Sequence, residues 1–192
     1  MLILGLDPGS TRTGFGLIES RTGRLRAITF GIIRPPARLA FLDRLPHLLA
    51  ALEAIVARSR PDVVAAEDLF VARNSRVALQ LGHVRGVALL PFLRAGIPVH
   101  EYAPRLVKKT VTGYGAAEKE QVRRMVRLLV GLHDGEVPLD ASDALAVAIC
   151  HVHASTRLGG LAGAAAKTPR RLRSWRHVTA EHLSQLSRRR LS

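Results

Sequence analysis

LILGLDPGSTRTGFGLIES, residues 2–20, decides how this chain begins to fold. Leu2 to Asp7 is a short apolar run that stops on a charged residue, Pro8, Gly9 and Ser10 are turn formers, and GFGLIES, residues 14–20, is a second apolar run. The pattern predicts two hairpin strands with Asp7 at the end of the first. LRAITFGIIR, residues 25–34, is a third apolar, β-rich stretch that stops at Pro35 and Pro36. Together the three runs predict an antiparallel meander.

Beyond the prolines the apolar spacing becomes helical. Leu45, Leu48, Leu49, Leu52, Ile55 and Val56 mark one face of a helix whose regular part begins, or is kinked, at Pro46. DVVAAED, residues 62–68, predicts a fourth strand, again ending in acids, and residues 74–96 follow with helical spacing up to Gly96. IPVHEYA, residues 97–103, is a fifth strand; short helical pieces flank the TGYG turn at 112–115, a basic amphipathic helix starts at 118, and DASDALAVAICHVHA, 140–154, is the last helix. The order β-β-β-α-β-α-β-α-α predicts an α/β chain with a mixed five-stranded sheet flanked by helices, and there is no internal repeat.

The chain has 192 residues, 47% of them hydrophobic, which suits one domain with a full core. Lys and Arg number 29 against 15 Asp and Glu, a formal charge of +14, so an anionic polymer is the expected partner, nucleic acid ahead of a merely basic role. Residues 157–192 carry nine Lys or Arg against one Glu, +8 of that total. This predicts a domain over 1–155 and a flexible basic extension over 156–192, read either as solubilising or as a backbone contact. Trp175, among Arg171, Arg173 and Arg176, fits a nonspecific basic tail better than a stacking site. No uninterrupted apolar stretch reaches about 18 residues, the start lacks a basic leader, and the single Cys150 forms no internal disulfide. A cytoplasmic protein away from membranes is expected.

Asp7 and Glu67 each end a strand. If those strands are parallel neighbours, both carboxylates emerge at one carboxyl edge, where ligand sites are favoured. Asp140 and Asp143 are three apart at a helix start and so share a face. Singly, each acid has an ordinary reading: a turn residue, a helix cap, a solvated strand end. Four at element ends of a basic chain predict a cluster that cations must neutralise. Oxygen ligands select Mg²⁺ or Mn²⁺, two ions about 3.5 to 4 Å apart, for phosphodiester hydrolysis without a covalent intermediate. The eight histidines suggest no zinc site, because His151 and His153, two apart, point to different sides of the last helix.

Four ordered blocks carry a resemblance to a known family: LGLDPGSTRTGFGLI (4–18), AAEDLFVARNSRVALQLGHVRGVAL (65–89), EYAPRLVKKTVTGYGAAEKEQVRRMV (101–126) and DASDALAVAICH (140–151). They resemble the RuvC Holliday-junction resolvases over most of residues 1–155. The resemblance implies a ribonuclease H-like fold and a homodimer whose subunits each nick one of two opposed strands of a four-way junction. It also implies accompanying branch-migration helicase proteins. Asp7, Glu67, Asp140 and Asp143 fall on the family's catalytic acids, and Lys108 and Lys119 on lysines near the scissile backbone. A lysine there orients the phosphate and offsets developing charge; otherwise it is an ordinary phosphate contact or a solvated surface group.

Phe70 matches an aromatic near the junction's strained bases, with base stacking and a buried loop anchor both open. Arg73 and Arg76 could touch phosphates, while Asn74 fits a helix cap. Arg105 and Lys109 are read as backbone contacts, and Gly113 and Gly115 either let a loop pass close to DNA or make a turn. Leu79, Leu81, Val84, Val87 and Leu90 divide between core and dimer partner, a division spacing does not resolve. Three rivals stand beside a junction nuclease. An actin or sugar-kinase type ATPase would share DPGSTRTGFG but lacks a second Gly-rich phosphate loop. A same-fold nuclease of ribosomal-RNA precursors is closer. A binding-only junction protein would be marked by a missing acid, and none is missing.

Overall fold

The computed structural model describes residues 1–68, 74–132 and 137–159. Five strands, β1 (Leu2–Pro8), β2 (Thr13–Arg21), β3 (Arg24–Ile33), β4 (Val63–Glu67) and β5 (Val99–Tyr102), form one sheet in the order β3-β2-β1-β4-β5. The first three make the expected antiparallel meander, with Asp7 opposite Gly14, and β1, β4 and β5 run parallel. The helices are α1 (Phe41–Ser59), α2 (Ser75–Arg94), α3 (Pro104–Thr112), α4 (Lys119–Leu129) and α5 (Leu139–Gly159).

Three helix boundaries differ from the sequence pattern. α1 starts at Phe41 and takes Pro46 inside it, because Phe41 and Leu45 both pack on the core and offset the one backbone bond a proline removes. α3 is a full nine-residue helix rather than short pieces. Pro104 supplies a preset φ at its start, Gly113 closes it at φ +81, and Val107 and Val111 anchor it in the core. α5 runs to Gly159, so residues 156–159, read as extension, continue the helix. The rest of that extension, 160–192, including Trp175, lies outside the described residues.

Side chains alternate between the two faces of the sheet. Leu4, Leu6, Val64 and Ala66 point to one core layer, closed by Leu48 and Leu52 of α1 and Val84, Ala88 and Phe92 of α2. Ile3, Val63 and Ala65 point to the other, under α5 with α3 and α4 outside it. The same alternation carries Asp7 and Glu67 to the α5 side. α5 is apolar almost all round, from Ala144 to Cys150, because sheet covers one flank and helices the other.

Two glycines set how closely α5 approaches. A Cβ at Gly5 would lie 1.8 Å from the Ala144 carbonyl oxygen, and one at Gly14 would lie 1.9 Å from that of Asp140. No side chain fits either gap. Their absence lets the start of α5 rest on the backbone of β1 and β2, beside the end of β1 where Asp7 stands.

Candidate active site

The parallel register of β1 and β4 ends at Leu6 opposite Ala66, which puts the next residues, Asp7 and Glu67, side by side at the carboxyl edge. Asp143, in the first turns of α5, comes in above them. These three acids line one cavity of about 290 Å³ with Lys108, Lys119, Pro104, Val107, Val122 and Ala146. Three carboxylates from three distant segments and two lysines therefore share one space. Asp140 does not line it, but lies close enough for its charge to act on Asp7.

The electrostatics are those of anions crowded together. Burial first, then the charges of Glu67 and Asp143, push the Asp7 carboxyl up to about 7, with Lys119 opposing. Glu67 is raised as well, again by burial and then by Asp143. Positive charge relieves the cluster. Lys119 Nζ donates to Asp143 Oδ2 at 3.1 Å and is itself held above the ordinary lysine range by that bond. Arg12 Nη1 donates to Asp140 Oδ2 at 3.3 Å. Lys108 donates to the Ala117 carbonyl at 2.7 Å, which tethers the loop before α4 while its charge acts on Glu67.

Among the described residues, no three Asp, Glu, His or Cys side chains are gathered closely enough to hold an ion as they stand. The donor chemistry nevertheless fits a hard divalent cation. All four ligand candidates are carboxylates, three of them line one space and the fourth acts on Asp7 through its charge, and their mutual repulsion is what such a cation would remove. Two of them already hold a cationic side chain.

The other sequence-predicted residues fall in different places. Arg76 is exposed in the first turn of α2, where its N–H donates to Asn74 Oδ1 at 2.9 Å, so Asn74 is the helix cap. Lys109 and Gly113 line a separate open cavity with Leu106, Thr110 and His153, on the flank of α3 turned away from the acids. Gly113 serves the turn through its left-handed backbone, and Gly115 leaves room for the Arg105 side chain, which a Cβ would meet at 2.8 Å. Phe70 and Arg73 lie outside the described residues. His151 is structural: it is buried, bonded by its Nδ1 to the Tyr102 hydroxyl at 2.7 Å, and its pKa is pushed down to about 4 by burial and His100.

Two arginines at the site carry no sequence signal of their own. Arg12 lies in the turn after β1 and reaches an acid 128 residues on. Arg85 projects from α2 and donates to the Glu67 backbone carbonyl and to Glu101. Only the folded arrangement distinguishes them from the other arginines of a basic chain. Within α2, Val84 belongs to the core, Leu81 and Val87 are half-buried, and Leu79 and Leu90 are exposed at 64% and 44%.

Comparison with known proteins follows the same lines. The pattern that defines crossover junction endodeoxyribonuclease RuvC matches residues 3–151. A crossover junction endodeoxyribonuclease RuvC from Syntrophomonas wolfei subsp. wolfei is 50% identical over 153 residues, 80% of this chain and 89% of that protein. One from Chlorobaculum parvum is 43% identical over 182 residues, 95% of this chain and 97% of that protein. Among solved structures, T. thermophilus RuvC in complex with Holliday junction substrate superposes with a TM-score of 0.76 at 32% identity, covering 83% of this chain and 96% of that one.

Proposed function

The chain belongs to the RuvC family of crossover junction endodeoxyribonucleases, and from that premise we propose that it resolves four-way DNA junctions by metal-assisted hydrolysis at Asp7, Glu67, Asp140 and Asp143. It is a nuclease of recombination and repair. The observation that carries the assignment of the site is the shared cavity: Asp7, Glu67 and Asp143 line it with Lys108 and Lys119 in a chain of net charge +14.

Two Mg²⁺ or Mn²⁺ ions, when bound, would supply an activated water and stabilise the leaving 3′ oxygen. The four carboxylates are the ligands assigned to them. Asp7, raised by burial and by its neighbours, is the acid whose ionisation most depends on a nearby cation. Lys119, bonded to Asp143 at 3.1 Å, is the group that a cation held by Asp143 would free to hold a phosphate oxygen. Lys108, anchored at the cavity wall, places a second positive charge on the same backbone. Arg76, Arg105 and Lys109, with Phe70, Arg73, Gly113 and Gly115, are assigned to contacts with the DNA. Exposed basic side chains act through phosphates and so confer salt-dependent affinity rather than junction choice.

Junction choice is assigned to two-fold symmetry. Leu79, Leu90 and Leu93 are exposed along one side of α2, and a Cβ at Gly82 or Gly86 would meet nothing, so this side offers a second copy an apolar surface with close backbone approach. A dimer through α2 presents two cavities to two opposed strands. Residues 1–155 form the nuclease domain in this reading, and the basic residues beyond it add backbone affinity. The protein works in the cytoplasm alongside a branch-migration helicase complex; no helix among the described residues is long and apolar enough to cross a membrane.

The test is cleavage of a labelled mobile four-way junction and a matched linear duplex, with Mg²⁺, Mn²⁺ or EDTA, by the wild-type chain and by Asp7→Asn. Metal-dependent symmetric nicking of the junction alone is expected, lost in Asp7→Asn while junction binding persists. If both proteins bind equally and neither cuts with any metal, the binding-only reading replaces this one.

A further inference from the structure

β4 divides its backbone groups between its two neighbours. The N–H groups of Val64 and Asp68 donate to the carbonyls of Pro98 and Tyr102, at 2.9 and 2.8 Å, so the even-numbered residues face β5 and the odd-numbered ones face β1. In the register that pairs Leu6 with Ala66, the Ala65 carbonyl is served by the N–H of Leu6, and the Glu67 carbonyl comes opposite the backbone nitrogen of Pro8. Proline has no N–H to give. The sheet therefore leaves the carbonyl of a cavity-lining acid without its ladder donor, at the point where that acid must be held in place.

Arg85 fills the position. It arises on α2, in the helix layer on the far side of the sheet from α5, and its side chain is only 12% exposed. One guanidinium nitrogen, Nη1, donates to the Glu67 carbonyl oxygen and the other, Nη2, to Glu101 Oε1 on β5. The planar fork spans two partners that a single ammonium could not serve together in this geometry. An ordinary surface ion pair needs neither the burial nor the second, backbone partner.

We propose that Arg85 is the positioning residue for Glu67: it replaces the ladder donor that Pro8 cannot supply and, oriented by Glu101, fixes the carboxyl end of β4 so that the Glu67 side chain is presented to the cavity. This rests on the reading of Glu67 as a metal ligand. It also ties the helix that carries the exposed leucine face to the acid cluster through one side chain.

The test compares wild type with Arg85→Met, Arg85→Lys, Glu101→Gln and the pair Arg85→Met with Pro8→Ala, using the full chain. Three quantities are read: junction cleavage against Mn²⁺ concentration, the rise in melting temperature that Mn²⁺ induces, and junction binding in EDTA. Removing a group that orients a metal ligand typically costs ten- to a hundredfold in metal affinity. Arg85→Met is thus expected to raise the half-saturating Mn²⁺ about tenfold and to shrink the Mn²⁺-induced melting rise, with junction binding in EDTA within about twofold of wild type. Arg85→Lys recovers only part of this, because it reaches one partner at a time. Pro8→Ala in the Arg85→Met chain restores an N–H opposite Glu67 and is expected to regain about threefold in Mn²⁺ affinity.

The inference is overturned if Arg85→Met keeps the wild-type Mn²⁺ dependence of both cleavage and melting, or if Pro8→Ala regains nothing. Should Arg85→Met fail to fold, Glu101→Gln carries the test. It replaces the charged acceptor that orients the guanidinium by a weaker neutral one and is expected to weaken Mn²⁺ about threefold; an unchanged dependence overturns the inference. A wild-type chain that cuts no junction would sink the functional reading instead, while the Mn²⁺-induced melting rise would still decide the role of Arg85.

Discussion

Asp7→Asn should make the metal-free protein more stable at pH 8 while removing its activity. The Asp7 carboxyl titrates at about 7 in the fold against an ordinary 3.8. Well below pH 3.8 it is protonated folded or unfolded and contributes no penalty. As pH rises from there, the unfolded chain ionises first, and the folded state loses stability until the folded carboxyl ionises too, above about 7. That interval corresponds to roughly 4 kcal/mol at full ionisation, at about 1.36 kcal/mol per pH decade. Relaxation of Lys119 and of solvent around the cluster reduces the expected gain to roughly 2–4 kcal/mol. For a chain of this length that is a melting-temperature increase of about 5–15 °C.

The assay is thermal or urea unfolding of both proteins in EDTA from pH 4 to pH 8, reading the difference between them so that other titrations cancel. The difference should be small at pH 4, grow with pH and level off near pH 8. Adding Mn²⁺ at pH 8 should stabilise wild type more than Asp7→Asn and so narrow or reverse the gap. A difference that is flat across pH, or largest in acid, would refute the picture of Asp7 as a carboxylate strained by burial and like charge.

Other perturbations test other links. Gly14→Ala forces a Cβ to within 1.9 Å of the Asp140 carbonyl and should cost about 3 kcal/mol or more in unfolding experiments, with cleavage lost as α5 is pushed from the sheet. Lys119→Ala should lower the cleavage rate about a hundredfold at saturating metal, while junction affinity in EDTA changes severalfold at most. Ser142 is 1% exposed and its hydroxyl has no hydrogen-bond partner among the described residues, so Ser142→Ala should be neutral or stabilising by about 1 kcal/mol in thermal melts. If the proposed dimer forms through α2, Leu79→Asp with Leu90→Asp should abolish it in sedimentation and leave the monomer's melting within a few degrees, since both side chains are exposed in the single chain.

Much of this protein is legible in its sequence because the relevant signals are local. Apolar runs with period two and three to four, broken by Pro8, Gly9, Pro35 and Gly96, mark five strands and the long helices. Acids at the ends of those runs mark Asp7 and Glu67, and the three-residue spacing marks Asp140 and Asp143 as a pair. The nine-residue α3 was harder to read, since Val107 and Val111 become informative only when α5 and α4 bury them. The start of α1 was hidden by Pro46, whose local cost is outweighed by the packing of Phe41.

What the sequence by itself determined is the inventory: the strands, the charge, the four acids and the family to which their order belongs. What only the tertiary structure decided is which groups meet. Gly5 and Gly14 admit the backbone of α5 because nothing projects from them, and a vacancy has no periodicity to detect. Arg12 and Arg85 look like any other arginine until the chain closes contacts 128 and 18 residues long. A pattern along the chain records neighbours in a helix or strand, whereas the field at Asp7 is the sum of charges brought together from β4, α4 and α5, and that sum exists only in the folded protein.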